Sequence, residues 1–371
     1  MNETTRSNQY TTGSALYLAF ELGNTEWKLG FTVGMGQSPR RRKIDAGDLS
    51  ALQEEIRAAK KRFGLDKEVP VRSCYEAGRD GFWLHRYLGT KSIENLVVDS
   101  ASIEVNRRSR RTKTDRLDVV KLVTMLIRYH SGEQKVWSVV QVPSVEAEDQ
   151  RHLHRQLRKF KADRTRHINR IKGLLVGQGV RLPVKRNFLE RVAEVRLWDG
   201  ARLPPGLHTR LEREYAEFQH IDQQIRELEA ARRELIRTSG DASEEKVRAL
   251  LKLRGIGENS AWLFVKEFFG WRVFRNRREV GSLAGLTPTP YQSGDQTREQ
   301  GISKAGNRPV RGMIIEIAWG WLRFQPDSEL TLWYEERFGH GSKRLRKIGI
   351  VALARKLLIA LWRYVETGEI P

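Results

Sequence analysis

The chain has 371 residues, with 67 Lys and Arg against 46 Asp and Glu, for a net charge of +21. At ~150 residues per domain that length holds two or three domains, and so basic a chain is expected to meet a polyanion, nucleic acid first. Ten Trp, thirteen Phe and nine Tyr exclude a disordered basic tail, and the one cysteine, Cys74, excludes a disulfide framework or a Cys-rich zinc site and fits a reducing cytosol.

In chain order, the polar residues 1–15 are expected to form a disordered N-terminal tail without the apolar stretch of a secretory leader, and no apolar run reaches the ~18 residues of a membrane span. Residues 16–22 form a short apolar run closed by Gly23-Asn24, which predicts a strand with 27–33 as its hairpin partner and 41–46 as a third strand. A helix follows to about residue 63, capped by Asp48 or Ser50, with Leu52, Ile56, Ala59 and Phe63 on one face and Gly64 ending it. Residues 69–75 read as a fourth strand, 82–88 as a helix, 95–105 as a fifth strand and 115–129 as a helix. Hairpin strands followed by alternating helices and strands predict an α/β layer domain over 16–143, in an order resembling the ribonuclease-H-like layout.

Residues 144–240 are helical in pattern. Leu153, Leu157, Phe160, Ile168 and Ile171 fall near heptad spacing, as do Leu211, Tyr215, Phe218, Ile225 and Leu228. A Pro/Gly-rich break separates the two runs. This predicts two long coiled-coil helices folded back on each other, or pairing with another protomer. Gly240-Asp241-Ala242-Ser243 reads as a linker to a helical domain over 245–371 with Gly-rich interruptions.

Four acids stand where metal chemistry would want them. Glu21 and Glu76 end the first and fourth strands, and Asp115 and Asp118 share one helix face. Singly, each reads as an ordinary surface carboxylate. Jointly, hard oxygen ligands on strand ends and a helix suit Mg²⁺ or Mn²⁺, and two such ions stabilise in-line displacement at phosphorus. Arg107, Arg108, Arg110, Arg111, Lys113 and Arg116 supply the positive field that a phosphodiester requires.

The segments Phe20-Glu21-Leu22-Gly23, Tyr75-Glu76-Ala77-Gly78 and Lys113-Thr114-Asp115-Arg116-Leu117-Asp118 resemble the DEDD motifs of transposases from the IS-one-ten insertion-sequence family. Downstream, Tyr291-Gln292-Ser293-Gly294 and Gly301-Ile302-Ser303-Lys304-Ala305-Gly306-Asn307-Arg308 are similar to that family's C-terminal transposase domain. The likeness spans about residues 16–325. It implies a ribonuclease-H-like (Holliday-junction-resolvase-like) domain, a coiled-coil insertion and a helical C-terminal domain. It also implies a recombinase of the prokaryotic cytoplasm and nucleoid that is guided by a non-coding bridge RNA and acts on donor and target DNA as a homo-oligomer, dimer to tetramer. By motif position Glu21, Glu76, Asp115 and Asp118 would bind Mg²⁺, and Ser293 would attack DNA. One position departs: the family's first acid is usually Asp, and Glu21 adds a methylene.

A serine hydroxyl needs activation and nearby cations to attack phosphorus. From spacing alone Ser293-Gly294 is an ordinary turn; the surrounding motif favours the nucleophile. Arg298, Lys304 and Arg308 are candidate phosphate contacts, and residues 304–307, ending at Asn307, a candidate backbone-phosphate loop. Gly255-Ile256-Gly257 reads equally as a phosphate-binding helix-hairpin-helix turn or a plain tight turn. The stretch 151–172 holds nine Lys and Arg, among them Arg155, Arg158, Lys159, Arg166 and Arg170, against Asp163 alone, which predicts a nucleic-acid backbone track. Two rival readings stand beside the recombinase: a metal-dependent structure-specific nuclease that does not need Ser293, and a nucleic-acid-binding protein whose catalytic site is impaired.

Overall fold

The structure is a computed structural model that describes residues 15–103, 115–293 and 296–371, without the side chains of 115–118, 291–293 and 296–299. It divides into two compact units, Met1–Val142 and Pro143–Pro371.

The first unit is built on a five-stranded sheet. β1 (Leu16–Leu22), β2 (Glu26–Thr32) and β3 (Arg40–Asp45) form an antiparallel meander. β4 (Val71–Glu76) and β5 (Glu94–Val98) run parallel to β1, giving the order β3-β2-β1-β4-β5. β1 is apolar from Leu16 to Phe20 because both of its faces are covered there. Leu16, Leu18 and Phe20 pack with α1 (Leu49–Arg62) and α2 (Trp83–Thr90) through Leu52, Ile56, Leu84 and Leu88. Tyr17, Ala19 and Cys74 face the opposite way, against Val119, Leu122 and Leu126 of α3 (Asp115–His130). That second contact is close: a Cβ on Gly30 would collide with the Val119 side chain. Asp48 caps α1 by accepting from the Ala51 N–H at 2.9 Å, and Gly64 follows with φ +64°, where a residue with a Cβ would be strained.

The fifth strand is shorter than the expected 95–105. Asp99 accepts from the Ala101 N–H at 3.0 Å and turns the chain into a 3₁₀ turn over Ser100–Ser102, so pairing stops at Val98. The expected cationic cluster of Arg107, Arg108, Arg110, Arg111 and Lys113 lies outside the described residues, as do residues 1–14 of the tail.

In the second unit α4 (Val145–Val176) and α6 (Pro205–Thr238) pack against each other along their length, with α5 (Phe188–Glu194) in the connection. Their cross-helix pairs, Lys161 with Glu229, Arg164 with Asp222 and His167 with Glu214, make them antiparallel. The expected linker at 240–243 is a turn into α7 (Ala242–Leu251). α8 (Glu258–Phe264) runs on into a buried π-helical turn, Val265–Phe269. Then come α9 (Arg277–Leu283), β6 (Pro288–Ser293), β7 (Gln296–Ile302), α10 (Arg308–Phe324), α11 (Glu329–Tyr334) and α12 (Lys343–Thr367). Their core gathers Trp262, Phe264, Phe268, Trp321, Leu353 and Leu357.

The antiparallel hairpin β6–β7 lies in a region expected to be helical with Gly-rich interruptions and no strands. Pro288 and Pro290 explain this, since neither can donate within a helix and each biases its predecessor to extended backbone. No helix among the described residues is long and apolar enough to cross a membrane.

Candidate active site and nucleic-acid interface

β1 and β4 are in register with Phe20 opposite Tyr75. One residue further on, at the carboxyl ends of both strands, stand Glu21 and Glu76. Side chains alternate along a strand, so both belong to the face of Ala19 and Cys74, the face that α3 covers. α3 crosses that face in the reverse direction. The Tyr17 ring lies 6.1 Å from that of His130 at the helix end, the Cys74 Sγ lies 3.8 Å from the Leu122 carbonyl oxygen, and Gly30, the partner of Ala19, meets Val119 near the helix start. The first turn of α3, carrying Asp115 and Asp118, therefore starts at the sheet edge where the two glutamates emerge.

The glutamates differ in surroundings. Glu21 keeps 28% of its side chain exposed, with the Lys28 Nζ 3.8 Å from its carboxylate. Glu76 is exposed. Burial first, and the Glu76 charge second, raise the Cys74 thiol well above its usual range, so Cys74 stays a neutral packing residue. Among the described side chains no three His, Cys, Asp or Glu gather as metal ligands, and the side chains of Asp115 and Asp118 lie outside the described residues. The type of donor fits: four carboxylates suit a hard divalent ion.

Ser293 is the last residue of β6 and pairs with Gln296, which puts it at the tip of the hairpin. Its side chain and that of Arg298 lie outside the described residues, as do Gly294 and Asp295. The loop after β7 folds tightly onto the turn after α9. The Ser303 N–H donates to the Thr287 carbonyl at 2.9 Å, the Lys304 N–H to Gly285 at 3.1 Å and the Asn307 N–H to Leu283 at 2.8 Å. Gly285 and Gly306 have positive φ, and a Cβ on either would collide with backbone across this contact.

Two of the four amides of the expected backbone-phosphate loop take part in this contact. The amides of Lys304 and Asn307 are already engaged, and the Asn307 side chain caps α10 by accepting from Val310 N–H at 3.0 Å. The side chains of Lys304 and Arg308 are exposed. The Gly255–Gly257 segment has a similar outcome. Gly255 has φ +94° and its Cα packs toward the Phe324 ring, while the Gly257 N–H donates to the Ser260 Oγ at 3.1 Å. The plain tight turn accounts for both glycines.

The basic helix α4 is less single-signed than its own sequence, because α6 and the π-helical turn bring acids to it. Arg155 makes a two-pronged bond to Glu267 at 2.7 and 2.9 Å. Arg170 and His167 share Glu214, each at 2.9 Å, and Arg166 pairs with Asp163 on the same helix. Arg151 is buried over the Trp271 ring. Arg158, Lys159 and Lys172 stay exposed and form the surviving cationic positions. His154 is buried, and desolvation lowers its pKa to about 4, which removes it as a cation.

The sequence reading passed over the opening of α12. Lys343, Arg344, Arg346 and Lys347 follow the capping Ser342 with no acid in the first turn. The signal was legible: four cations at the helix end where acids are favoured.

A model of the transposase IS116/IS110/IS902 family matches residues 247–332, from α7 into α11. A putative transposase of Sinorhizobium fredii, y4rJ, is 39% identical over 96% of this chain and 93% of its own length. The transposase of insertion sequence element IS1111A from Coxiella burnetii is 25% identical over 81% of this chain and 78% of its own length. That of IS1328 from Yersinia enterocolitica is 27% identical over 59% and 63% respectively.

Proposed function

This chain belongs to the IS116/IS110/IS902 family of transposases, and on that footing we propose that it is a serine recombinase, guided by a bridge RNA, that cuts and rejoins donor and target DNA. The observation that carries the reading is the convergence at one sheet edge of Glu21, Glu76 and the first turn of α3, with a serine at the tip of a hairpin in the second unit.

In this reading the first unit is a ribonuclease-H-like catalytic domain, α4 and α6 form its coiled-coil insertion, and 245–371 is the transposase domain. A divalent ion such as Mg²⁺, held by Glu21, Glu76, Asp115 and Asp118, would stabilise negative charge on the phosphoryl oxygens. The Ser293 Oγ forms a new bond to phosphorus, and one bridging sugar oxygen departs with the proton that the serine gives up. A sugar hydroxyl of the exchanging strand then attacks the phosphoserine, restores the diester and returns the proton to Ser293. Phosphodiester bonds are conserved, so no external energy source is needed. Arg298, Lys304 and Arg308 steady the charge on the phosphorus oxygens. Nothing in the sequence reads as a module for base-specific recognition, which supports delegation of that task to RNA. The composite site is completed in a homo-oligomer, dimer to tetramer.

The test is a covalent adduct. Protein, flanking RNA, donor and target DNA and Mg²⁺ are mixed, denatured and resolved on a gel beside Ser293→Ala and Glu21→Gln. An adduct lost in Ser293→Ala, and slowed at least about a hundredfold in Glu21→Gln (~3 kcal/mol of transition-state stabilisation), is expected. Metal-dependent cleavage without an adduct would replace this reading by a nuclease.

A further inference from the structure

The second unit carries a groove of about 1210 Å³, above the ~300–1,000 Å³ typical of small-molecule sites. Its floor is apolar, formed by Leu286, Ile302, Trp333, Ile348, Val351 and Ile359. Its rim is cationic, with Arg277, Arg278, Lys304, Arg344, Lys347 and Arg355, and among the described residues no Asp or Glu lines it. Among the described residues none of these six has an acidic partner.

Two details show cations gathered here at a cost. The Arg355 Nε is buried without a hydrogen-bond partner. It fits only because Gly281 lacks a side chain, since a Cβ there would lie 2.9 Å from that nitrogen. α12 opens on Lys343, Arg344, Arg346 and Lys347, where the helix dipole disfavours positive charge. An anion in the groove offsets both. The Lys356 Nζ, held 4.5 Å above the Trp333 ring by a favourable cation–π contact, adds a further cation beside the floor.

The apolar floor narrows the class of anion. A duplex presents phosphates outward and hides its base faces, whereas an unpaired strand offers both to a groove that has cations above and apolar surface below. Pro288, Ile302 and Lys304 tie the groove to the root of the hairpin that ends at Ser293. We propose that this groove holds an unpaired segment of the DNA strand presented to that hairpin. The choice of DNA over RNA rests on the recombinase reading.

Binding is measured on the full chain carrying Ser293→Ala, so that chemistry does not contribute. Fluorescence anisotropy compares labelled oligothymidylate, oligouridylate of equal length and a duplex. Arg344→Glu with Lys347→Glu, both exposed, is expected to weaken oligothymidylate binding at least about tenfold and to lower the salt slope by about 1.4, at ~0.7 per single-strand phosphate contact. Arg57→Glu with Lys61→Glu on α1 makes the same charge change elsewhere and is expected to cost less than about twofold, the scale of non-local charge effects. Ile348→Ser, at a half-exposed floor position, is expected to weaken oligothymidylate binding several-fold and to leave duplex binding unchanged.

Equal losses for duplex and single strand would overturn the proposal, as would a groove-dependent preference for oligouridylate or no loss at all. Absence of the covalent adduct from the parent chain in the earlier test sinks the serine chemistry alone; absence of groove-dependent single-strand binding sinks this inference alone.

Discussion

His154 shows how a titratable residue set among arginines in the sequence becomes a neutral core group. In the sequence it sits among arginines. In the fold it is 3% exposed, and burial is the main cause that lowers its pKa from 6.5 to about 4, with Arg158, Arg232 and Arg155 adding to the effect and Glu267 opposing it. The unfolded chain then binds a proton near pH 6.5 that the folded chain refuses until about pH 4. The stability that His154 contributes is therefore complete above pH 6.5 and is lost as pH falls through that window. The shift corresponds to about 3 kcal/mol. Urea unfolding across this range is expected to show a steeper acid loss for the parent chain than for His154→Leu, and parallel curves would refute the assignment. Glu21 and Glu76 were legible from the sequence because strand ends are marked by local turn residues, Gly23 and Gly78. The pairing of Arg155 with Glu267 was not legible, because across a separation of 112 positions no local pattern joins them.

At the scale of elements, the first unit was readable because each strand and helix announces its buried face through its own spacing. β1, α1 and α3 fall within a residue or two of expectation. The hairpin β6–β7 was missed because 296–302 is polar and carries no alternation of apolar residues, so only the prolines argued against helix. The seam that joins α4, α7 and the π-helical turn could not be read from any one of them. There Lys266, 3% exposed, donates to Glu244 and the Ser243 hydroxyl at 2.6 Å and to the Gln150 side chain at 2.9 Å. Lys266→Met leaves the buried Glu244 carboxylate without its cation and is expected to destabilise the second unit by about 3–5 kcal/mol. Adding Glu244→Leu should recover most of that loss, because an apolar pair of similar volume tolerates the same site. A double variant no more stable than the single one in chemical denaturation would contradict this account of the seam.

For the whole molecule, the excess of positive charge is distributed rather than pooled. α4 spends much of its charge on the acids of α6, while the opening of α12 and the groove beside it keep theirs unmatched. A net charge of +21 then predicts nucleic-acid affinity that falls linearly with the logarithm of salt concentration, with a slope of magnitude about 5 or more for duplex DNA. Anisotropy titrations at a series of salt concentrations check this, and salt-independent affinity would mean that the exposed cations do not meet phosphate.

The two prolines of β6 have a consequence for how copies of this chain can coexist at high local concentration. A ribbon of only two strands leaves both outer flanks open, and an open flank is a template on which a neighbour's strand can zip by backbone hydrogen bonds. Pro288 and Pro290 offer no N–H donors on β6, and the register slip between them breaks the regular spacing that an incoming strand would match. The ribbon is therefore a poor template for a third strand, and copies of the chain crowded on one nucleic acid are not drawn together through it.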